Sequence, residues 1–269
     1  MQTLCGYLES LARTGVGDKK VCNVCFVGEP IDSHIITRKL LEAACEGREC
    51  RNLLVDLKRK STTIVSPTTW VQKLECKHCD NSTSHLEGEF VSRCLKHYKP
   101  SIPLSRNDVL VFLSYGYRTL CMRNVLQYAV KDKLASYKEL ESFMVQVWKI
   151  RRALMKQQRE IRWNEEFDCA RNRVLFHILT RAEAERSSYR IALVLCNVDL
   201  TALDQDLTSC PLIYTKTLRC CWAVLLGEHK AANLQPHFLS IINCIDHQLS
   251  QEKIEPQGIV RKNSLKITV

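Results

Sequence analysis

The sequence predicts an α+β fold in three main parts: a cysteine-rich module, a helical middle and a strand-rich C-terminal region. Two Cys-x-x-Cys pairs lie among turn residues and histidines within residues 21–100. Apolar residues recur at three- and four-residue spacing through residues 101–186, which is the period of amphipathic helices. β-Branched and aromatic residues dominate residues 187–250, which favours strands.

Shorter segments complete this organisation. Residues 1–20 predict a helix followed by a loop, and residues 251–269 predict a loosely held polar tail. Within the cysteine-rich module, residues 38–60 favour helix, whereas residues 61–70 favour extended chain. A helix is expected to follow the second cysteine pair, beginning at about residues 81–84. Residues 237–249 fit either a final strand or a helix.

The charge of the chain favours a polyanionic partner. There are 39 Lys and Arg against 29 Asp and Glu, which gives a net charge of +10. Residues 118–173 contain 13 basic and 7 acidic residues. Because each neutralised phosphate releases condensed counterions, the surplus predicts nucleic acid as a partner, with Lys149, Arg151 and Arg152 as contacts. The alternative is that these side chains form a solvated helix face.

The interpretation of the 15 cysteines depends on the cellular compartment in which the chain is found. Neither a signal peptide nor a run of about 20 apolar residues is visible, so the chain is expected in the cytoplasm or nucleus, away from membranes. Thiols stay reduced there, and a disulfide framework is not expected. Cysteines within apolar runs, such as Cys196 and Cys244, are predicted to be core residues.

The two Cys-x-x-Cys pairs predict a structural zinc site. Zn²⁺ prefers four tetrahedral ligands, and each pair offers two thiolates from a tight turn. The pairs are Cys22 with Cys25 and Cys76 with Cys79, and fifty residues separate them. Two unrelated pairs, or one redox-active pair, are the alternatives. Other candidate ligands are Cys45, Cys50, Cys94 and His78.

Two further motifs give the cysteine-rich module the motif order of a known protein family. DSHII at residues 32–36 follows the first pair, and LECKHCD at residues 74–80 contains the second. This order resembles the HNH nuclease superfamily, whose zinc-stapled members share a treble-clef, or ββα-metal, core. It is most similar to HNH-like proteins in which SHIIP replaces DHI and the next helix carries Ser and Glu, here Ser84 and Glu87. FLSYGYR at residues 112–118 is similar to a later Ser-x-x-x-Arg helix, so the resemblance covers roughly residues 20–120.

The resemblance implies metal-dependent hydrolysis of phosphodiesters, in DNA more than in RNA. In active HNH enzymes the hairpin histidine is the general base, and a divalent cation stabilises the phosphate. By matching position, the catalytic residues would be His34, Asp80 and Glu87, with Mg²⁺ or Mn²⁺ as the catalytic metal. Arg118 would contact phosphate. Other candidate metal ligands are Asp32, Ser33, Ser84 and His85.

Departures from the pattern favour an alternative without catalysis. Ser33, a poor metal ligand, precedes the histidine, and Thr37 stands where proline usually follows the isoleucines. The module would then be a zinc-stapled binding unit for nucleic acid or protein, with a structural His34 and a solvated Glu87. A catalytic metal site requires His34, Asp80 and Glu87 to converge within about 5 Å of one point.

Overall fold

The computed structural model describes most of the chain. The described residues are 4–14, 20–40, 52–56, 61–65, 71–96, 104–122, 125–131, 133–155, 169–186, 191–200, 209–217, 220–227 and 231–251. The helices are α1 Leu4–Thr14, α2 Lys77–Lys96, α3 Arg106–Cys121, α4 Val125–Lys131, α5 Tyr137–Met155, α6 Arg181–Arg186, α7 Ala231–Leu234 and α8 Phe238–Gln251. The strands are β1 Ile31–His34, β2 Asn52–Asp56, β3 Ser61–Val65, β4 Val71–Glu75, β5 Val174–Ile178, β6 Ile191–Asp199, β7 Ser209–Lys216 and β8 Cys220–Leu225. This mixture of helices and sheets confirms the predicted α+β class.

Strands from distant parts of the chain share one six-stranded sheet. Its order is β3-β2-β6-β7-β8-β5, while β1 and β4 form a separate antiparallel pair. The hairpin β2–β3 lies in sequence between the two cysteine pairs, yet β2 pairs in parallel with β6. The cysteine-rich segment and the C-terminal strands therefore share a sheet.

Helices cover both faces of this sheet. Alternate residues of β8 point to opposite sides, so that Trp222 belongs to one core and Ala223 to the other. The first core contains α3, which is buried at every residue from Asp108 to Cys121. The Phe112 ring of α3 stacks on Trp222 with 4.7 Å between ring centroids. The second core contains the inner face of α8.

Local capping and close packing fix the position of α3. The Ser105 side chain accepts a hydrogen bond from the Asp108 amide, and the Asp108 carboxylate accepts one from the Ser105 amide. A Cβ atom at Gly116 would lie 3.3 Å from both Phe143 of α5 and Val224 of β8. The absence of a side chain therefore lets α3 approach both elements closely.

Four local predictions are corrected or decided. Residues 52–56 form a strand rather than helix, because β3 and β6 supply backbone partners on both sides. Residues 174–178 form β5 within a region predicted as helical, because they pair with β8. The helix at the second cysteine pair begins at Lys77, earlier than predicted, and residues 238–251 form a helix. The predicted tail lies outside the described residues except for Gln251.

Within the described residues, no helix combines the length and apolar character needed to cross a bilayer.

Candidate metal centre

The two cysteine pairs meet although fifty residues separate them. The four Sγ atoms of Cys22, Cys25, Cys76 and Cys79 all lie within 4.8 Å of one another. The strand pair β1–β4 returns the chain to the first pair, since the Asn23 amide donates to the Leu74 carbonyl at 2.9 Å. Cys76 directly follows β4 and Cys79 lies in the first turn of α2. The β1–β4 strand pair therefore brings one cysteine pair to the other.

The geometry of the cluster fits a metal ion bound by four thiolates. A tetrahedral zinc site with Zn–S bonds of about 2.3 Å places neighbouring sulfurs about 3.8 Å apart. The Sγ–Sγ distance is 3.8 Å between Cys25 and Cys76, and 3.4 Å between Cys76 and Cys79. The four cysteines could hold a metal ion such as zinc, which supports the predicted cofactor.

The thiols of the cluster differ strongly in acidity. A hydrogen bond from Cys79 lowers the pKa of Cys22 to about 5, although burial opposes the shift. The same hydrogen bond, together with burial, raises the pKa of Cys79 far above its ordinary value. Thiolates this close repel one another, and a bound divalent cation stabilises all four in the ionised form.

The backbone around the first pair is shaped to donate to sulfur. The Val24 amide donates to the Cys22 Sγ at 3.4 Å, and the Gly28 amide donates to the Cys25 Sγ at the same distance. Phe26 has a φ of 60°, a left-handed conformation that is uncommon for a bulky residue. The loop therefore makes a tight turn that directs two N–H groups at its cysteine sulfurs, as a zinc knuckle requires.

Gly28 is fixed by close approach to the second pair. A Cβ atom at this position would lie 2.7 Å from the Cys76 Cβ and 2.9 Å from its Sγ. We expect Gly28→Ala to push the two pairs apart and to destabilise the protein by about 1–3 kcal/mol. Zinc affinity, measured by competition with a colorimetric chelator, should fall as well. Gly88→Ala is the matched control, because a Cβ atom there meets nothing within 4 Å. Equal zinc affinity in the two variants would contradict this interpretation of Gly28.

Side chains of the helical region donate hydrogen bonds to the backbone of the loop that carries the first cysteine pair, which we call the knuckle. The carbonyl groups of residues 23–25 each accept one side-chain hydrogen bond. Tyr117 of α3 donates to the first at 2.7 Å, Trp148 of α5 donates to the second at 2.7 Å, and Arg152 donates to the third at 3.4 Å. The Arg152 guanidinium also lies over the Trp148 ring, 5.4 Å from its centroid. These contacts orient the loop that carries the first two ligands.

A buried carboxylate joins the cysteine cluster to two helices. Glu75, directly before Cys76, has 0% of its surface exposed. Its oxygens accept hydrogen bonds from Arg118 of α3, at 2.9 Å from Nε, and from both terminal nitrogens of Arg151 of α5. Arg151 also donates to the Cys79 carbonyl at 3.2 Å. Glu75 and Arg151 therefore hold the second pair at both of its ends.

Arg118 also forms ion pairs with two acidic residues of α2. Its Nη1 lies 2.7 Å from the Glu87 carboxylate, and its Nη2 lies 3.4 Å from the Asp80 carboxylate. The Thr83 hydroxyl, 3.1 Å from Nη2, in turn donates to Glu87 at 3.2 Å. Three carboxylates thus surround the guanidinium of Arg118, a residue of which 1% is exposed.

The network keeps its acidic centre ionised. Burial alone would raise the pKa of Glu75, but the positive charges of Arg118 and Arg151 lower it to about 2. Burial would lower the pKa of Arg118, but the surrounding carboxylates, first that of Glu75, raise it well above its usual range. Since the network is buried and charged, its members depend on one another.

The three residues predicted to be catalytic do not form one metal-binding cluster. Among the described residues, the cysteine cluster is the one group of three or more His, Cys, Asp or Glu side chains that could hold a metal ion. Asp80 and Glu87 contact Arg118, whereas half-buried His34 ends β1 opposite Val71. Asp32 is exposed, and buried Ser33 donates to the Ile31 carbonyl. The β1–β4 strand pair does not bring His34 into a second metal cluster with these carboxylates.

The residues predicted to bind nucleic acid divide into two groups. Lys149 is exposed and Arg152 is half-buried. Arg118 and Arg151 are buried in the network around Glu75. A phosphate contact by either of these two would require its ion pairs to break.

Sequence reasoning missed Glu75, Tyr117 and the role of Trp148. Glu75 lies in the motif LECKHC, where a charge beside a cysteine is a weak signal of a residue that orients a metal ligand. The Trp148 ring packs beside the Phe26 ring, with 6.1 Å between ring centroids. Nothing in the local pattern indicates that its N–H donates to a residue 124 positions away.

Comparison with protein-family models, curated proteins and solved structures finds no match to this chain.

Proposed function

We propose that the chain contains an HNH-like treble-clef module with one structural zinc ion, and that this module binds nucleic acid without cleaving it. The observation that carries the proposal is the position of Arg118, whose guanidinium holds Asp80 and Glu87. Those two carboxylates are the ones that the HNH resemblance assigns to catalysis. A guanidinium in their midst competes with Mg²⁺ or Mn²⁺ for the same oxygens.

The treble-clef assignment is supported by the order of the elements. A knuckle carries the first pair, an antiparallel strand pair follows it, and the second pair lies at the beginning of a helix. The α2 N-terminus adds the positive end of its dipole to the side of two thiolates. In such a module the metal supplies charge neutralisation and cross-linking, while Glu75 and Arg151 orient the second pair.

The absence of catalysis is supported by the chemistry of Arg118. A hard divalent cation needs carboxylate oxygens that are free to coordinate it. Here the Glu87 oxygen nearest Arg118 is also hydrogen-bonded to Thr83, and Glu75 is shared between two guanidiniums. A cation bound by Asp80 and Glu87 would leave the buried Arg118 with only one of its three carboxylates, that of Glu75, which is costly.

Nucleic acid as the ligand is supported by cations around the cluster. Lys77, between the second pair of cysteines, is exposed, as is Lys149 on α5. Arg152 lies against the knuckle itself. Positive side chains of this kind bind phosphates without reading the base sequence.

The binding proposal is tested by fluorescence anisotropy with labelled DNA and RNA duplexes. We expect Lys77→Gln/Lys149→Gln to weaken DNA binding by about tenfold and to lower the salt slope by about two, because two phosphate contacts are lost. Lys138→Gln/Arg171→Gln removes the same charge from exposed positions outside the cluster, and Lys138 lies about 16 Å along α5 from Lys149. This control should bind like the wild type. Equal affinity for all three proteins would contradict the proposal.

The endonuclease is a second candidate, which the position of His34 at the end of β1, between the two cysteine pairs in sequence, favours. It is tested by nicking of supercoiled plasmid with Mg²⁺ or Mn²⁺, for the wild type and for His34→Ala. We expect neither protein to nick above the protein-free control. Nicking by the wild type that is lost in His34→Ala would overturn the proposal of a module without catalysis.

A further inference from the structure

A polar surface lies on α2, on a different side of the helix from Arg118. Helix α2 has 20 residues and is about 30 Å long at 1.5 Å per residue. Its exposed residues between positions 77 and 85 follow three- and four-residue spacing, and at 100° per residue they fall within an arc of about 120°. We call this surface the outer arc; it consists of Lys77, His78, Asn81, Ser84 and His85.

The acidic residues of this part of α2 lie outside the outer arc. The buried Glu87 carboxylate lies 2.7 Å from Arg118, and the half-buried Asp80 carboxylate lies 3.4 Å from the same guanidinium. The first exposed carboxylate of α2 is that of Glu89, which borders the far end of the arc and accepts a hydrogen bond from α3. The ion pairs with Arg118 thus turn two negative charges inward, while Lys77 gives the arc a positive charge.

The hydrogen-bonding groups of the outer arc suit the edges of base pairs. Four of its five side chains can both donate and accept a hydrogen bond. The Asn81 amide has the donor and acceptor pair that matches N7 and N6 of adenine. The Ser84 hydroxyl donates to the backbone carbonyl of Asn81 at 2.9 Å, which leaves its lone pairs as acceptors. Solvated helix faces commonly carry pairs of Glu and Lys, whereas this polar face without a carboxylate is complementary to a polyanion.

The side of α2 that carries the outer arc is accessible at Gly88, two turns after Asn81. A Cβ atom at Gly88 would meet no atom within 4 Å, so the wall of a groove can approach the helix here. The major groove of B-DNA is about 12 Å wide and admits an α-helix, whereas the minor groove is about 6 Å wide. The major groove of duplex RNA is too deep and narrow for side chains to read. The helix therefore fits duplex DNA.

We propose that α2 enters the major groove of duplex DNA and that Asn81 reads an adenine there. This inference rests on the proposed function, and it adds a sequence preference to binding that phosphate contacts alone would make uniform. Lys77 contacts a phosphate at the beginning of the helix and sets its position along the groove. His78 and His85, on either side of Asn81 along the helix, face the neighbouring base pairs.

The test begins with selection of bound duplexes from a randomised DNA library by the zinc-loaded full chain. We expect an enriched site that contains an adenine, and an affinity for that site at least about tenfold above that for scrambled duplexes in fluorescence anisotropy. The same sequence as an RNA duplex should bind no more tightly than scrambled RNA. Equal affinity for every DNA sequence would overturn this inference alone and leave the proposed function standing. Absence of binding to any duplex would overturn both.

Asn81→Ala tests the assigned contact at an exposed position. We expect it to lower the preference for the selected site by about fivefold or more, while the affinity for scrambled duplexes stays unchanged. Asn243→Ala, at an exposed position of α8 on the opposite face of the sheet, is the matched control and should retain the preference. An adenine analogue with carbon in place of N7 should lower the preference of the wild type and have no further effect on Asn81→Ala. A wild-type preference that the analogue leaves unchanged would contradict the assigned groove.

A pair of charge variants tests the assigned helix without removing a side chain. Gly88→Glu places a carboxylate where a Cβ atom meets nothing, beside the outer arc. We expect it to weaken binding to the selected site by at least about tenfold, because the carboxylate repels the phosphates that flank the groove. Ser240→Glu adds the same charge at an exposed position of α8, and it should bind like the wild type. Loss of binding in both variants alike, or in neither, would contradict the assignment of α2.

Discussion

Removal of zinc is expected to unfold the cysteine module and to lower the stability of the whole chain. Structural zinc contributes about 10–16 kcal/mol in isolated zinc-finger peptides, because the binding site forms only when the chain folds. Here the cluster supports the knuckle on which Tyr117, Trp148 and Arg152 converge. Chelation should therefore lower the Tm measured by circular dichroism and change the fluorescence of the tryptophans, among them Trp148. Re-addition of zinc should restore both.

A pair of cysteine variants distinguishes ligand loss from thiol loss. Cys76→Ser removes one ligand of the cluster, and it should reproduce the effect of the chelator in the presence of zinc. Cys169→Ser changes an exposed cysteine outside the cluster, and it should retain the Tm and zinc content of the wild type. If chelation left the Tm unchanged, the metal would not be a structural element of this fold.

Neutralisation of Glu75 is expected to have the next largest effect. Glu75→Gln leaves Arg118 and Arg151 buried without the carboxylate that lies between them. Breaking a buried ion pair from one side costs about 3–5 kcal/mol, because the remaining charge stays desolvated. We expect a loss of this size in urea unfolding of the zinc-loaded protein at neutral pH. Glu29→Gln, at an exposed position of the knuckle loop, should change stability by less than about 0.5 kcal/mol.

The lowered pKa of Glu75 also predicts how its contribution to stability changes with pH. Its pKa falls from an ordinary 4.5 to about 2 on folding, so its contribution is complete above pH 4.5 and is lost as the pH falls towards 2. The stability of wild type and Glu75→Gln should therefore converge in acid. Acid also protonates the thiolates and releases zinc, so the comparison at neutral pH is the decisive one. A variant as stable as the wild type at pH 7 would show that Glu75 is dispensable.

The parts of the fold that could be predicted are those that a local pattern of residues in the sequence indicates. The periodicity of residues 106–121 and 137–155 predicts α3 and α5, and β-branched runs predict β6, β7 and β8. The cysteine cluster could be predicted because a Cys-x-x-Cys spacing already brings two thiolates together. One return of the chain then suffices to complete the ligand set.

The parts that could not be predicted depend on distant partners. β2 resembles a helical segment in sequence and becomes a strand because β6, about 140 residues away, offers it a parallel edge. Arg118 and Arg151 have the sequence signature of a basic surface, since most arginines are solvated. They are buried because one carboxylate, Glu75, is carried between them on β4. Their partners become visible only when the strand pair and both helices are in place.

The central claim is that Cys22, Cys25, Cys76 and Cys79 bind one zinc ion that holds the two halves of the module together. X-ray absorption at the zinc edge, combined with metal analysis of the purified chain, tests it most directly. We expect one zinc per chain with four sulfur ligands at about 2.3 Å. A chain purified without zinc, or a shell containing nitrogen or oxygen in place of any of the four sulfurs, would contradict it.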